Sequence, residues 1–223
     1  MNVFIVYWHP EPKSFNGAML RTAATTLERA QHTVVISDLQ EIAFDPVSSR
    51  KNFITMSNQD YFKQQAEELY ATEKNGFSVE IENEIEKIEW CDLMIWQFPL
   101  WWFGLPATLK GWVDRVFAMG RTYGGGKFYE QGVFKGKKAL LSLTTGGPKE
   151  AYQRGGFNGD IGGILRPIQR GMLEFVGFAV YKPAIIYGPA HLSDIERQKQ
   201  LDGFARRLEK IDREDTVNAG SYR

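Results

Sequence analysis

The stretch CDLMIWQFPLWWFGLPATLKGW, residues 91–112, decides the fold. Its first part, Cys91–Trp96, is a short apolar run that is typical of a buried strand. Three aromatic residues crowd the end of this run, and Gly-Leu-Pro follows them, with proline near the position where helices often begin. The pattern therefore predicts a strand, an aromatic turn and a helix carrying Leu109 and Val113. Because polar residues usually occupy such turns, the aromatic cluster at residues 101–103 indicates a binding surface.

Outward from this stretch, strands and helices alternate along the chain. The predicted strands are Val3–Trp8, His32–Leu39, Cys91–Trp96, Lys137–Gly147 and Ala179–Gly188. Helical patterns lie between them, including one capped by Ser14 and an amphipathic, Glu-rich one at residues 78–90. Alternation of this kind predicts a parallel sheet with helices on both faces. In that architecture, ligands bind beyond the carboxyl ends of the strands.

The length and composition favour one domain. The chain has 223 residues, of which 43% are hydrophobic and 24% are charged, as in ordinary globular proteins. We expect a single domain over residues 1–212 and a flexible C-terminal tail over residues 213–223. The polar excursion at residues 40–76 predicts no particular element.

Charge, cysteine and histidine content restrict the partners and the compartment. Lys plus Arg and Asp plus Glu each number 27, and no basic run offers a surface to nucleic acid. No apolar run approaches the roughly 20 residues of a membrane helix, so membrane insertion is not expected. Cys91 is the sole cysteine and fits an inert core thiol in a reducing cytoplasm. The scattered histidines form no i, i+4 pair, so we expect no catalytic metal.

Three loops fall at the predicted carboxyl ends of strands, at residues 9–16, 99–103 and 144–147. The first is not the Gly-x-Gly-x-x-Gly dinucleotide loop, and the chain has no Gly-Lys-Ser/Thr phosphate loop. It leads instead into a helix N-terminus, where free N–H groups and the helix dipole favour a phosphate. Ser14 and Asn16 could add hydrogen bonds. A capped helix after a proline-rich loop would have the same sequence, so this loop alone leaves both interpretations open.

The other two loops favour a planar ligand when they are taken together. Thr-Thr-Gly-Gly at residues 144–147 offers hydroxyls and consecutive amides to the edge of a ring, although a simple turn would have the same composition. The aromatic residues 101–103 could be core, yet they lie between two turns and not on a strand or helix face. A flat heterocycle that carries phosphate would satisfy all three loops.

Three longer motifs resemble a known family. QFPLWWFGLPATLKGWVDRVF, LSLTTGG and ILRPIQRGMLEFVGF are similar to segments of the NAD(P)H:quinone oxidoreductases (DT-diaphorases), and the similarity extends from Val3 to about Lys210. It implies a flavodoxin-like, doubly wound α/β fold with a five-stranded parallel sheet of order 2-1-3-4-5. It also implies FAD as cofactor, with FMN the less favoured choice, and NAD(P)H as hydride donor. The partners implied are a quinone substrate and a second copy of the chain, in a homodimer with its active site at the subunit interface.

The resemblance also implies roles for particular residues. Those implied to bind the cofactor are His9, Ser14, Phe15, Asn16, Ala18, Pro99, Leu100, Trp101, Trp102, Phe103, Asp114, Thr144, Thr145, Gly146, Gly147, Tyr152 and Arg197. Those implied to meet the substrate are Trp102, Phe103, Tyr123, Gly125, Phe128 and Asn158. Asp114 and Arg197 are expected at the adenine end. Tyr123 and Phe128 match a segment that in relatives reaches the partner's site.

The reaction implied is two hydride transfers in ping-pong order, from NAD(P)H to the cofactor and from the cofactor to a quinone. Tyr152, Gly146 and Asn158 are the implied catalytic residues, with Tyr152 stabilising the reduced cofactor. Asn158 stands where the best-known members have a histidine, and an amide can hydrogen-bond but cannot exchange a proton near neutral pH. Gly125 stands where some relatives have a substrate-covering tyrosine. This difference predicts a wider pocket that also admits nitroaromatic or azo compounds.

Two alternatives remain at this stage. Flavodoxin-type electron carriers share the fold, but they are commonly acidic and monomeric, whereas this chain is neutral and carries an apolar lid. Similar proteins also accompany potassium-efflux systems, so a regulatory subunit is the second alternative.

Overall fold

The sheet at the centre of the computed structural model, which describes residues 1–220, has the expected strand order. Its strands are β1 (Asn2–Tyr7), β2 (Thr33–Asp38), β3 (Leu93–Pro99), β4 (Lys138–Thr145), β5 (Ala179–Tyr181), β6 (Ala184–Tyr187) and β7 (Thr216–Val217). β2, β1, β3, β4 and β5 lie side by side and pair in parallel, which confirms the order 2-1-3-4-5. The carboxyl ends of these strands therefore meet at one edge of the sheet.

The far edge of the sheet differs from the prediction in two respects. The predicted fifth strand is divided at Lys182 and Pro183, so that β5 pairs with the start of β4 and β6 with its end. Proline has no N–H to donate, which interrupts the ladder at that point. β7 pairs antiparallel with β5, so part of the segment 213–223 forms a strand where a flexible tail is expected. Residues 221–223 of that predicted tail lie outside the described residues.

Helices cover both faces of the sheet. They are α1 (Phe15–Arg29), α2 (Gln64–Lys74), α3 (Val79–Trp90), α4 (Ala107–Val116), α5 (Ile161–Ile168) and α6 (Asp194–Leu208). α2 lies in the excursion for which the sequence predicts no element. α5 continues directly into a π-helical segment, Gln169–Glu174. Within the described chain, none of the helices has both the length and the apolar character to cross a membrane.

The core consists of two layers, one on each face of the sheet. Along β1, Val3 and Ile5 pack towards α1 and α6, while Phe4 and Val6 pack towards α3 and α4. Because both faces are covered, the strand is apolar throughout and does not alternate with polar residues. Cys91 is fully buried between α3 and β3, and burial raises the pKa of its thiol to about 12. The thiol is therefore protonated and unreactive at neutral pH.

Candidate active site

A cleft of about 900 Å³ opens where β1, β3 and β4 end. Most of the residues predicted to bind a cofactor line it: His9, Ser14, Phe15, Asn16, Ala18, Pro99, Leu100, Trp101, Thr144, Thr145, Gly146 and Arg197. The three loops selected from the sequence therefore meet at one place, at the carboxyl ends of the parallel strands. The volume suits a nucleotide-sized ligand.

The loop between β1 and α1 brings backbone donors to the cleft. The Ser14 hydroxyl accepts a hydrogen bond from the Gly17 N–H at 3.1 Å, which caps the helix. The amides of Phe15 and Asn16 belong to the first turn, where helix carbonyls are not available to them. A Cβ atom on Gly17 would lie 2.2 Å from the carbonyl oxygen of Pro12. Glycine at this position therefore lets the loop close onto the helix end that a phosphate would use.

Two cations and a neutral histidine border this helix end. Lys13 precedes the cap, and Arg197 lines the cleft from α6. The Arg197 guanidinium donates to the Pro189 carbonyl at 3.2 Å and to the Asp194 carboxylate at 2.5 Å, which fixes its direction. Burial lowers the pKa of His9 below its ordinary value, so its imidazole is neutral at pH 7. Lys13 thus places positive charge beside the free amides, which suits an anionic ligand, whereas the charge of Arg197 is paired with Asp194.

A chain of side-chain hydrogen bonds links α1, β3 and β4 behind the cleft. Gln97 on β3 donates from Nε2 to Oδ1 of Asn16 at 2.8 Å, and Asn16 donates from Nδ2 to the Thr144 hydroxyl at 2.8 Å. The three side chains are buried, with 1%, 3% and 5% of their surface exposed. Gln97 is missing from the predicted site residues. A lone amide inside an apolar strand is the signal that could have identified it, because buried polar groups need partners.

The aromatic loop forms the rim of the cleft and not part of the core. Trp101 and Gly104 exchange backbone hydrogen bonds of 3.2 and 2.9 Å, which close a tight turn. Within it, the backbones of Trp102 and Phe103 have φ angles of 49° and 59°, a region that residues other than glycine rarely adopt. Trp102 is 97% exposed, whereas Trp101 packs edge-on against Trp8 with ring centroids 5.0 Å apart. The strained turn therefore holds Trp102 away from the core.

The loop after β4 connects the cleft to a buried tyrosine. The Thr145 hydroxyl donates to the Gly147 carbonyl at 2.8 Å and fixes the turn. Gly146 has open space where a side chain would stand, so its backbone is accessible from the cleft. A Cβ atom on Gly147 would lie 3.4 Å from the Tyr152 ring and 3.8 Å from the Asn158 amide nitrogen. The residues predicted to be catalytic are therefore neighbours.

Other predicted residues do not line the cleft of their own chain. They are Trp102, Phe103, Asp114, Tyr123, Gly125, Phe128, Gly147, Tyr152 and Asn158. Asp114 is bonded to Lys110 at 2.6 Å on α4 and lines a second cavity of about 480 Å³. Within one chain, Asp114 and Arg197 are therefore not brought together.

The segment predicted to cover the substrate lies beside that second cavity. Tyr123 lines it, with its hydroxyl 3.3 Å from Nε2 of Gln65 and its ring against Phe175. Phe128 packs against the same Phe175, with ring centroids 5.1 Å apart. Between them, Gly124–Gly126 adopt φ angles of 113°, 59° and 82°, which glycine tolerates far better than other residues. Ring contacts anchor the ends of this segment, and its centre is a glycine turn closed by the Lys127 N–H, which donates to the Gly124 carbonyl at 3.0 Å.

The wall that α6 contributes is the main feature of the cleft that the sequence does not predict. Arg197 is predicted, but the other residues that line this end of the cleft are not. They are Pro189, Ala190, Asp194, Gln198 and Leu201. Positions 194, 197, 198 and 201 follow the i, i+3, i+4, i+7 spacing of one helix face. The same spacing, counted from Asp194 at the first position of α6, could have identified them.

Known proteins share this fold and are similar in sequence. The model of a flavodoxin-like fold family matches residues 1–211. Over 217 residues the chain is 42% identical to the ribosyldihydronicotinamide dehydrogenase (quinone) of Rattus norvegicus, covering 97% of this chain and 94% of that one. Over 208 residues it is 43% identical to the NAD(P)H dehydrogenase (quinone) 1 of Cavia porcellus, covering 93% and 76%.

Structural comparison gives the same result. A candidate quinone reductase from Klebsiella pneumoniae superposes with a TM-score of 0.94 at 36% sequence identity, covering 97% of this chain and 87% of that one. The three-dimensional similarity therefore extends over almost the whole chain. The chain belongs to the flavodoxin-like family of NAD(P)H:quinone oxidoreductases.

Proposed function

We propose that the protein is an FAD-dependent NAD(P)H:quinone oxidoreductase that reduces quinones by two electrons in ping-pong order. The observation that carries this proposal is the convergence of a cationic helix end, an aromatic rim and a glycine turn around one cleft. A flat heterocycle with a diphosphate would use all three. The names of the two mammalian relatives, at 42% and 43% identity, support the same activity.

The residues of the cleft fit FAD. The first-turn amides of α1 and the charge of Lys13 suit a diphosphate. Trp101 offers a flat apolar surface to a ring, and the accessible backbone at Gly146 suits the polar edge of that ring. The α6 wall, with Arg197 and Gln198, extends the cleft beyond the helix end and gives room for an adenylate. This extension favours FAD over FMN.

When bound, FAD would supply the hydride chemistry, accepting a hydride from a reduced nicotinamide and passing it to a quinone. The residues of the chain would bind, orient and stabilise. The backbone N–H groups at Gly146 and Gly147 would donate hydrogen bonds where negative charge accumulates. The hydroxyl of Tyr152, whose ring lies beside Gly147, would add a further donor. Asn158 would orient a ligand or a water molecule through its amide, without carrying a proton.

A second copy of the chain would complete the substrate side of the site. Trp102 and Phe103 are 97% and 49% exposed at the rim of the cleft. Tyr123 and Phe128 do not line their own chain's cleft. A homodimer with its active site at the interface would use both sets, because the rim of one copy would meet the covering segment of the other. This arrangement would also give Asp114 a route to the partner's cofactor.

The names of the relatives broaden the range of donors to be tested. One relative is named for ribosyldihydronicotinamide and the other for NAD(P)H, so the donor is a reduced nicotinamide with or without an adenylate. As acceptors we propose quinones and, because the space at Gly125 is open, also nitroaromatic or azo compounds. We place the enzyme in the cytoplasm, a reducing compartment that suits a chain whose one cysteine is buried.

One observation favours a second candidate function. Over 142 residues the chain is 32% identical to the ancillary protein of a glutathione-regulated potassium-efflux system from an Enterobacter strain, covering 64% of this chain and 76% of that one. A regulatory subunit of such a system is therefore the alternative. A flavodoxin-type carrier is less favoured, because the chain is neutral and its rim is apolar.

An absorbance spectrum of the purified protein, with identification of the released flavin, is the first experiment. Oxidation of NADH, NADPH and dihydronicotinamide riboside is then followed with a small quinone and no partner reductase. The proposal expects FAD and rapid oxidation of at least one donor. Bound flavin without donor oxidation would favour an electron carrier, and co-purification with a membrane transporter would favour the regulatory subunit. Protein that binds neither FAD nor FMN would overturn the proposal.

A further inference from the structure

The buried chain of Gln97, Asn16 and Thr144 has a defined direction. Each amide donates to the next residue, and the direction depends on which end of the Gln97 amide faces Asn16. Nε2 of Gln97 also lies 3.7 Å from the sulfur of Met19, a weak acceptor, while Oε1 has no partner. If the amide were reversed, its oxygen would face this sulfur, and the weak N–H···S hydrogen bond would be lost. The sulfur of Met19 therefore selects the observed orientation.

This orientation determines what the Thr144 hydroxyl can do. Asn16 must accept from Gln97 through Oδ1, so it presents its N–H group to Thr144. The Thr144 oxygen thus receives a hydrogen bond, and its own hydrogen remains to be donated. Within the part of the chain that the structure describes, this hydrogen has no recorded acceptor, and Thr144 lines the cleft. The hydroxyl is consequently a preset donor to whatever ligand occupies the cleft, strengthened by the chain behind it.

We propose that Gln97 is a positioning residue that fixes the Thr144 hydroxyl as a hydrogen-bond donor to an acceptor atom of the bound flavin. This inference rests on the proposed function. Gln97 does not line the cleft and acts only through Asn16. Without Gln97, the Asn16 amide could rotate. The Thr144 hydroxyl would then donate its hydrogen bond to Asn16 Oδ1 and not to the ligand. A Gln97 with a purely structural role would affect folding but not this donor.

The test is a double-mutant cycle read out by flavin affinity. The variants are Gln97→Met, Thr144→Val and the double variant, with Ser142→Ala as the matched control. Ser142 lies beside Gln97 in the register of β3 and β4, and its buried hydroxyl has no partner. Flavin-free full-length protein is titrated with FAD and, in parallel, FMN, by flavin fluorescence. Thermal unfolding without flavin measures the structural effect of each change.

We expect Gln97→Met to weaken flavin binding about three- to tenfold, the value of one neutral hydrogen bond. Ser142→Ala should leave the affinity unchanged. In the Thr144→Val background, Gln97→Met should cause little further loss, because both changes remove the same donor. Wild-type affinity in Gln97→Met, or losses that multiply in the double variant, would overturn the inference and leave the proposed function intact.

If the Gln97→Met variant does not fold, a second comparison tests the inference. Thr144→Ser keeps the hydroxyl and Thr144→Val removes it, so only the valine variant should bind flavin more weakly. Equal affinity in these two variants would overturn the inference. If the wild-type chain binds neither flavin, the proposed function fails and the inference fails with it.

Discussion

The enclosed side of the cleft and its aromatic rim are built in opposite ways. On the enclosed side, Asn16, Gln97 and Thr144 are at most 5% exposed, and each is hydrogen-bonded to another of the three. On the rim, Trp102 is 97% exposed and its backbone lies in the left-handed region. The enclosed side is held by buried hydrogen bonds between separate elements, and the rim is held by a single tight turn.

The difference shows where stability is obtained and where it is given up. Left-handed backbone at a tryptophan costs on the order of 1–2 kcal/mol per residue. Exposing the ring in addition forgoes the hydrophobic free energy of burying it. The strained turn is held in place because Trp101 packs on Trp8 and its two backbone hydrogen bonds with Gly104 close the turn. Strain that persists in this way is typical of a functional surface.

The largest effect is expected at Tyr152, which is buried beside the loop after β4. If its hydroxyl stabilises negative charge on the cofactor, Tyr152→Phe should slow flavin reduction by on the order of a hundredfold, as when one preorganised donor is removed. Tyr187→Phe is the matched control, because that ring packs 6.0 Å from the Tyr152 ring and loses the same hydroxyl. Stopped-flow reduction measures both rates. An unchanged rate in Tyr152→Phe would exclude Tyr152 from the mechanism.

The next effect concerns the loop that closes onto α1. A Cβ on Gly17 would lie 2.2 Å from a backbone oxygen, which cannot move aside as a side chain could. Gly17→Ala should therefore lower the free energy of unfolding by about 1–3 kcal/mol, as overpacking does, and weaken flavin binding. Gly163→Ala on α5 is the control, since its Cβ would meet open space. Urea unfolding of the two variants should differ, and equal stabilities would contradict the steric argument.

The enclosed side was partly predictable from the sequence, because its loops follow strands with strong local patterns. The runs that became β1, β3 and β4 are predominantly apolar, and Ser14 is a recognisable cap. The hydrogen bonds behind the loops were not predictable, since they join residues 81 and 128 positions apart. No local pattern records such a pairing. It depends on which strands become neighbours.

The parts of the molecule that escaped prediction share this cause. α2 is a polar helix that contacts a distant part of the chain through Glu68. The Glu68 carboxylate accepts a hydrogen bond from the Met119 N–H at 2.7 Å, and the two residues are 51 positions apart. The α6 wall is a helix face that becomes part of the site only after the sheet places it beside the first loop. The rim was predicted from its composition, but its exposure follows from the φ angles of Trp102 and Phe103, which no residue type there suggests.

A smaller effect is expected at the covering segment, and it would sharpen the contrast with the enclosed side. Gly125 has a φ angle of 59° and open space around it. Gly125→Tyr should narrow the pocket and reduce kcat/KM for bulky quinones several-fold relative to small ones, since a hydrophobic contact changes selectivity by about 1–3 kcal/mol. Gly125→Ala imposes the same backbone strain without the ring and should leave the ratio unchanged. Equal ratios in the two variants would show that this segment does not limit access.

The smallest effect on stability is expected at Trp102, and it tests the comparison directly. Because its side chain is 97% exposed, Trp102→Ala should change the free energy of unfolding by less than about 0.5 kcal/mol. Trp112→Ala, at a fully buried tryptophan of α4, should by contrast cost about 3–5 kcal/mol. Chemical unfolding of flavin-free protein gives both values. A large loss in Trp102→Ala would mean that the rim supports the fold, whereas a lowered kcat/KM for quinones without such a loss would assign Trp102 to the ligand alone.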